Sequence, residues 1–458
     1  MIRLVVLARM EFVAPLFHGS GEESLFTDMP VLRDTRGLPF ISGGALAAAF
    51  HRAQPGHPSE WLGLDSKGEP VPSRILFDDA FPVPEQRQTL AHIVETRKRV
   101  SIERHSATAI EGAHFDLEVL PVGSIFLFSC RCDAADKTEA ERMRNAMESF
   151  LAAGGILGGK TNSGLGRWQA QGWTHQQYDL DDKDDLKQWL LEGHGLAWEG
   201  KTDVFNPWQA FSAPKPPGWT ITFNVNISQG VHLSSAGKGL PVSKQPDEYQ
   251  AVRKRITPDG TLLEECVDYG TTIRGRIRTV MEMLLRTYLI WAKVPSEEVL
   301  KLIPCDPRQK AGLEEVANFL GFPQPKKGAK TQDCRAKWSV QEHNWQSPAC
   351  MKMDHNRLDH FVQHAMEGPL FCFAPLSAGQ SEVVIELDKD APSWQKLLLI
   401  HAVRLLELNI LPWGGKGARG YLGARISDIK CVEPDDTTAL ATEINKWAEK
   451  LKKNPVST

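Results

Sequence analysis

At 458 residues with 41% apolar side chains, the chain has material for two or three packed cores, which excludes a disordered or low-complexity protein. A formal net charge of −4 and a pI near 6.4 exclude a nucleic-acid coat that works by bulk positive charge, so any such site must be a local groove. The eight cysteines form no C-x-x-C pair, the N-terminus does not read as a signal peptide, and no apolar run reaches the roughly 18 residues of a membrane helix; the expectation is a reducing, cytoplasmic chain with no membrane partner.

Ile2–Phe12 alternates and is β-branched enough to be an opening strand. A Gly/Ser/Glu loop over 18–24 leads to Asp28-Met29-Pro30-Val31-Leu32-Arg33-Asp34, and Leu38-Pro39-Phe40-Ile41-Ser42-Gly43-Gly44 opens an Ala-rich helix over 45–53. Ser42 and Gly43 place unpaired N–H groups at a helix start, which suits an anion or a plain cap. Residues 73–80 read as a short strand. The polar excursion over 82–112 is too long for an idle connection and predicts a projecting element. Strands over 115–120 and 124–132, a helix over 139–153 and a strand from Arg167 complete the order strand, helix, strand, strand, helix, strand. That order predicts an α+β, ferredoxin-like domain.

Between that helix and strand lies Gly158-Gly159-Lys160-Thr161-Asn162-Ser163-Gly164-Leu165-Gly166-Arg167. Clustered glycines let backbone N–H groups turn toward one point, and the flanking Lys and Arg suit phosphate oxygens. A Gly-rich helix-to-strand turn is the plainer alternative. Gly154, Gly159, Lys160 and Thr161 also spell G-x-x-x-x-G-K-T, but a nucleotide-binding loop has its strand before and its helix after. The reversed order excludes a nucleotide hydrolase.

The second half repeats the plan. A Pro-rich linker over 187–217 precedes a strand from Trp219, and Asp268-Tyr269-Gly270-Thr271-Thr272 opens a basic amphipathic helix over 273–291. An insertion over about 295–330 has no counterpart earlier. Strands at 335–341, 369–373 and 382–387 flank a second polar excursion, 342–368, and a helix over 394–408 precedes Gly414-Gly415-Lys416-Gly417-Ala418-Arg419-Gly420-Tyr421-Leu422-Gly423. The two loops lie 256 residues apart, and Gly43 lines up with Gly270, Arg74 with Arg335, and Arg104 with Arg357. One ancestral unit used twice explains this, with boundaries at 1–186, 187–217 and 218–432 and a terminal helix over 433–458. Local positive charge is concentrated at Arg97-Lys98-Arg99 with Arg104, at Arg253-Lys254-Arg255, and at Arg274, Arg276 and Arg278. Cys305, Cys334, Cys350 and His343 have a spacing that fits no zinc module.

The string from Asp28 to Asp34, the Leu38–Leu46 segment, Ser73-Arg74-Ile75-Leu76-Phe77-Asp78-Asp79-Ala80 and the Gly-rich loop together resemble the backbone subunits of type III CRISPR effector complexes, of the RAMP superfamily. The resemblance covers nearly all of the first half and, more loosely, the second; the doubled chain resembles the tandem subunit of type III-D complexes. It implies two tandem ferredoxin-like, RRM-type domains with projecting thumb hairpins, within 82–112 and 342–368. The implied partners are a guide crRNA, a complementary target RNA and other type III CRISPR subunits. The implied chemistry is metal-dependent cleavage of target RNA, with Asp28 and Asp247 as catalytic and metal-holding acids and magnesium as the divalent cofactor. RNA-holding residues are then Ser42, Gly43, Arg104, Lys160, Asn162, Arg167, Thr271, Arg274, Arg357, Lys416 and Arg419. Two other readings stand beside this one: a non-catalytic guide-RNA-binding filament subunit, and a guide-processing endoribonuclease using His18 or His51 as acid or base.

Overall fold

The computed structural model describes residues 1–22, 24, 27–54, 56–65, 67–93, 95–106, 108–192, 218–235, 249–325, 331–332, 336–358, 365–411, 413–414 and 423–453. In chain order the first half runs β1 (Ile2–Phe12), α1 (Gly43–Ala53), β2 (Ile75–Phe77), α2 (Pro84–His92), β3 (Glu95–Ile102), β4 (Ala109–Val119), β5 (Ile125–Ala134), α3 (Lys137–Ala153), β6 (Arg167–Asp179) and α4 (Lys183–Glu192).

Strand β1 is the centre of the first sheet because it is apolar on both faces. Leu4, Val6, Ala8 and Met10 join a core closed by α1 and α3, while Val5 and Leu7 face Tyr178 and the α4 residue Trp189. The sheet order is β2-β5-β1-β6, every pair antiparallel, with the two-residue strand Gly155–Ile156 beyond β6. Helix α3 is fixed at its start by Asp136, whose side chain accepts from the Glu139 N–H at 2.8 Å. Met143, Met147, Phe150 and Leu151 recur at helical spacing and bury its inner face. Strands β3 and β4 leave the sheet as a separate hairpin.

The second half continues with β7 (Trp219–Gly230), β8 (Val252–Ile256), β9 (Leu262–Asp268), α5 (Gly270–Trp291), α6 (Ser296–Leu302), α7 (Glu314–Leu320), β10 (Trp338–Val340), β11 (Met353–Leu358), β12 (Ala365–Phe373), β13 (Leu376–Leu387), α8 (Ser393–Glu407), β14 (Gly423–Cys431) and α9 (Ala439–Lys453). Its sheet order is β10-β13-β7-β14. In each sheet the opening strand lies between the third and the fourth sheet strands, with the second outside the third. The two halves therefore share one topology, and α1 and α5, the helices after the opening strands, both begin at a glycine. The inserted helices α6 and α7 are not appended to this unit; Val299, Leu302, Val316, Phe319 and Leu320 lie in its core.

The halves are in close contact, and the excursion over 82–112 takes part in it through α2 and the β3–β4 hairpin. In α2, fully buried Gln86 donates to Gly123 O at 3.0 Å and to Thr257 O at 3.1 Å. Strand β8 adds to the first half through Ile256 N–H to Val122 O, 2.7 Å, and Val122 N–H to Lys254 O, 3.2 Å. At the hairpin base the Arg97 guanidinium pairs with both oxygens of Glu342 and, at 2.5 Å, with Glu95. Near the hairpin turn Arg104 N–H donates to Cys305 O at 3.2 Å. The hairpin is laid along the second half from base to turn.

Candidate nucleic-acid interface

The glycine loop after α3 is a tight connection held by its own backbone. Four of its N–H groups are used in this way: Gly159 donates to Phe17 O and Gly166 to Pro15 O, each at 2.8 Å, while Ser163 and Gly164 close a short turn onto Lys160 O and Thr161 O. A Cβ at Gly158 would lie 2.2 Å from Phe17 O, and one at Gly164 2.6 Å from Val340 O, so these glycines let the loop pass between the Phe17 segment and the second half. Asn162 Nδ2 donates to Ala336 O at 2.6 Å, and Arg167 pairs with Glu386, which also accepts from Gln341 at 2.7 Å. The structure thus places Asn162 and Arg167 in the contact between halves. Lys160 points differently, with its ammonium 5.1 Å from the centre of the Phe115 ring in β4.

That ring leads to Asp28. The segment around Met29 runs beside β4 as an added strand: Met29 N–H donates to Asp116 O at 3.1 Å and Glu118 N–H to Met29 O at 3.0 Å. Glu118 in turn accepts from Val31 N–H at 3.0 Å. Asp28 is exposed, and its Oδ2 accepts the Asp116 N–H at 2.8 Å, which orients the carboxylate. Phe115, next to Asp116, joins the Lys160 ammonium and the Asp28 carboxylate to one hairpin edge. Sequence reasoning had both end residues and a strand over 115–120, read from the alternation Phe115-Asp116-Leu117-Glu118-Val119, but not that this strand is what joins them.

The start of α1 is also occupied. Ser42 N–H donates to His18 Nε2 at 3.2 Å and Gly43 N–H to Asp79 Oδ1 at 2.8 Å, so a carboxylate fills the place expected for an external anion. Ser42 holds the N-cap position without a side-chain cap bond. His18, with Nε2 accepting, is a neutral positioning group; burial lowers its pKa, opposed by Asp79. At the start of α5, Thr271 is half-buried, and Arg274 stacks over Trp338 at 5.2 Å. Arg104 lies 3.4 Å from Glu282 on the same helix. The basic clusters are mostly inward-facing: Arg97, Arg253 and Arg278 are 2%, 6% and 7% exposed, so the strand and helix repeats turn them from solvent toward carboxylate partners. Asp247, Lys416 and Arg419 lie outside the described residues, as does the Arg357 side chain. Among the described residues no three His, Cys, Asp or Glu side chains group as metal ligands, and no helix is long and apolar enough to cross a membrane.

The segment that carries Asp28, the His18–Ser42 contact, α1, the hairpin, α3 and the glycine loop can be compared with known proteins as one block. Residues 9–168 match the RAMP superfamily. The RAMP match thus contains Asp28, Phe115 and Lys160. Over 164 residues the chain is 25% identical to the CRISPR system Cms endoribonuclease Csm3 of Methanocaldococcus jannaschii. That likeness takes in 31% of this chain and 66% of the relative, just under two thirds of its length.

Proposed function

We propose that the chain is a subunit of a type III CRISPR RNA-guided effector, holding guide crRNA along its two halves and cleaving complementary target RNA beside Asp28. The observation that carries this reading is an exposed, oriented carboxylate, Asp28, fixed to a hairpin inside the RAMP-matched segment. The repeated strand order supports a tandem arrangement of the kind found in type III-D complexes, with β3–β4 and β11–β12 as the thumb hairpins. Asp28 fits a magnesium ion, which commonly takes one or two carboxylates and fills its remaining positions with water and substrate phosphate. When bound, such an ion supplies charge neutralisation at the scissile phosphate. The protein's own part is to hold the carboxylate through Asp116 N–H and to set the Lys160 cation on the Phe115 face, where a phosphate oxygen can be met.

The test is to isolate the chain from its host and sequence the RNA that accompanies it, then to offer a complementary RNA with magnesium. The expected result is RNA of discrete length with a shared 5′ tag, and cleavage that Asp28→Ala abolishes while guide and target binding persist. Binding without cleavage by the unaltered chain would leave the filament role and remove the enzyme. Recovery of the chain without RNA would overturn the whole reading.

A further inference from the structure

Strand register brings Cys266 and Cys350 side by side. Cys266 lies in β9 opposite Val252 of β8, its carbonyl accepts the Trp345 N–H at 2.9 Å, and the next two residues, Val267 and Asp268, pair with Asn344 and His343. From Trp345 the chain runs along β13 as the strand Gln346–Cys350, in which Cys350 stands opposite Leu376. That path returns Cys350 to the core cluster that contains Cys266, and the two thiols meet there, with Cys266 donating to the Cys350 sulfur.

The two thiols differ in access. Cys266 is 3% exposed, whereas Cys350 is partly open to solvent, and both are free. Cys130 and Cys132 also meet, but each is fully buried in the first core, so the folded chain shields both. Cys305 and Cys431 are partly exposed like Cys350 and serve as references. The hydrogen bond favours a thiolate at Cys350, lowering its pKa against the effect of burial, and it raises the pKa of Cys266, where burial adds to the rise. A reachable sulfur with thiolate character beside a protected thiol is the arrangement in which oxidation of the first is followed by attack of the second.

We infer that Cys350 and Cys266 form an oxidation site for hydroperoxides, with Cys350 as the attacking thiol and Cys266 as the resolving one. The Cys350 thiol gives its proton to solvent, and its sulfur attacks one peroxide oxygen. The O–O bond breaks, the departing hydroxide or alkoxide takes up a proton and leaves as water or alcohol, and Cys350 becomes a sulfenic acid. The Cys266 sulfur then attacks the Cys350 sulfur, the S–OH bond breaks, and the leaving hydroxide takes the Cys266 proton as water. Two thiols have lost two electrons and the peroxide has gained them; a dithiol reductant reverses the link by exchange. The bond ties the residues just before β11, at the root of the second hairpin, to the strand that leads into α5, and it closes a loop containing α5, α6 and α7. A cross-link over so long a loop favours the folded chain by restricting the unfolded one. The site does not depend on the RNA function proposed above.

The test treats the full reduced chain with hydrogen peroxide, blocks the remaining thiols, and maps the digest by mass spectrometry without reductant. The expected result is one linked peptide pair, Cys266 with Cys350, lighter by two hydrogens and separated again by dithiothreitol, while Cys305 and Cys431 remain thiols at the same dose. Iodoacetamide at pH 7 should modify Cys350 about tenfold faster than Cys431. Cys266→Ser should stop the reaction at a Cys350 sulfenic acid that dimedone traps, and Cys350→Ser should leave Cys266 unreacted. The mapping is made on the unaltered chain, so it decides the matter even where a variant fails to fold. The denaturant midpoint of the linked chain should rise, and a link that leaves it unchanged overturns the stabilising role. Over-oxidation of Cys350 without a link, a link to a different cysteine, or equal oxidation of Cys350, Cys305 and Cys431 overturns the site.

Discussion

Arg97 in the hairpin of the first half and Glu342 in the second half form a two-armed ion pair with side chains 1% and 0% exposed. Arg253 approaches the same carboxylate at 3.6 Å, so burial, which would raise the Glu342 pKa, is outweighed by Arg97 and then Arg253, and the group is held below its ordinary value of 4.5. Removing one member leaves a buried charge without its partner. Glu342→Gln should therefore destabilise the chain by about 3–5 kcal/mol in denaturant unfolding, and the paired change Arg97→Met with Glu342→Leu should cost less. The sign for pH follows from the depressed pKa. The contribution is complete above about pH 4.5 and is lost as pH falls through the lower, folded value.

Asp268 shows the opposite sign. It is fully buried at the end of β9, where burial pushes it up to about 7, opposed by Arg276 and by the Trp413 N–H that donates to Oδ2 at 2.7 Å. The folded state therefore binds a proton more tightly than the unfolded chain, and this contribution is present below about pH 4 and lost as pH rises through about 7. Asp268→Asn keeps an acceptor for Trp413. It should flatten the stability profile between those limits and raise Tm at pH 8.

Two glycines of α5 make a matched pair. A Cβ at Gly270 would lie 2.2 Å from Ser163 O of the glycine loop, whereas one at Gly275 meets nothing within 4 Å. Gly270→Ala should cost about 1–3 kcal/mol and expose the 158–166 loop to protease, since a backbone must move. Gly275→Ala should stabilise by about 0.5–1 kcal/mol.

Asp79→Ala removes the acceptor for Gly43 N–H at the start of α1. A loss of about 0.5–2 kcal/mol is expected, as for other lost helix caps. NMR titration should show His18 shifting further down, because Asp79 is the group that raises it.

The repeated strand order could be read in the sequence because element order, short connections and apolar alternation are local properties, visible in Val5 and Val6 facing opposite cores. The glycines opening α1 and α5 were legible for the same reason. What the glycine loop touches was not: Asn162 finds Ala336 across 174 residues, and Arg97, which reads as one of a basic surface triplet, finds Glu342 across 245. Charge type shows in a sequence, but the direction of a charged side chain depends on which distant strand arrives beside it. The Asp28 site lies between these cases, since its motif is local and its orienting N–H belongs to Asp116, 88 residues on.

The Arg97–Glu342 pair also has a consequence for synthesis. Residue 97 leaves the ribosome 245 residues ahead of its partner, an interval of roughly 12–50 s at ordinary elongation rates. Until then the hairpin that orients Asp28 has an arginine with no carboxylate from the second half to receive it, so the ion pair that seats this hairpin on the second half forms only once Glu342 has been made.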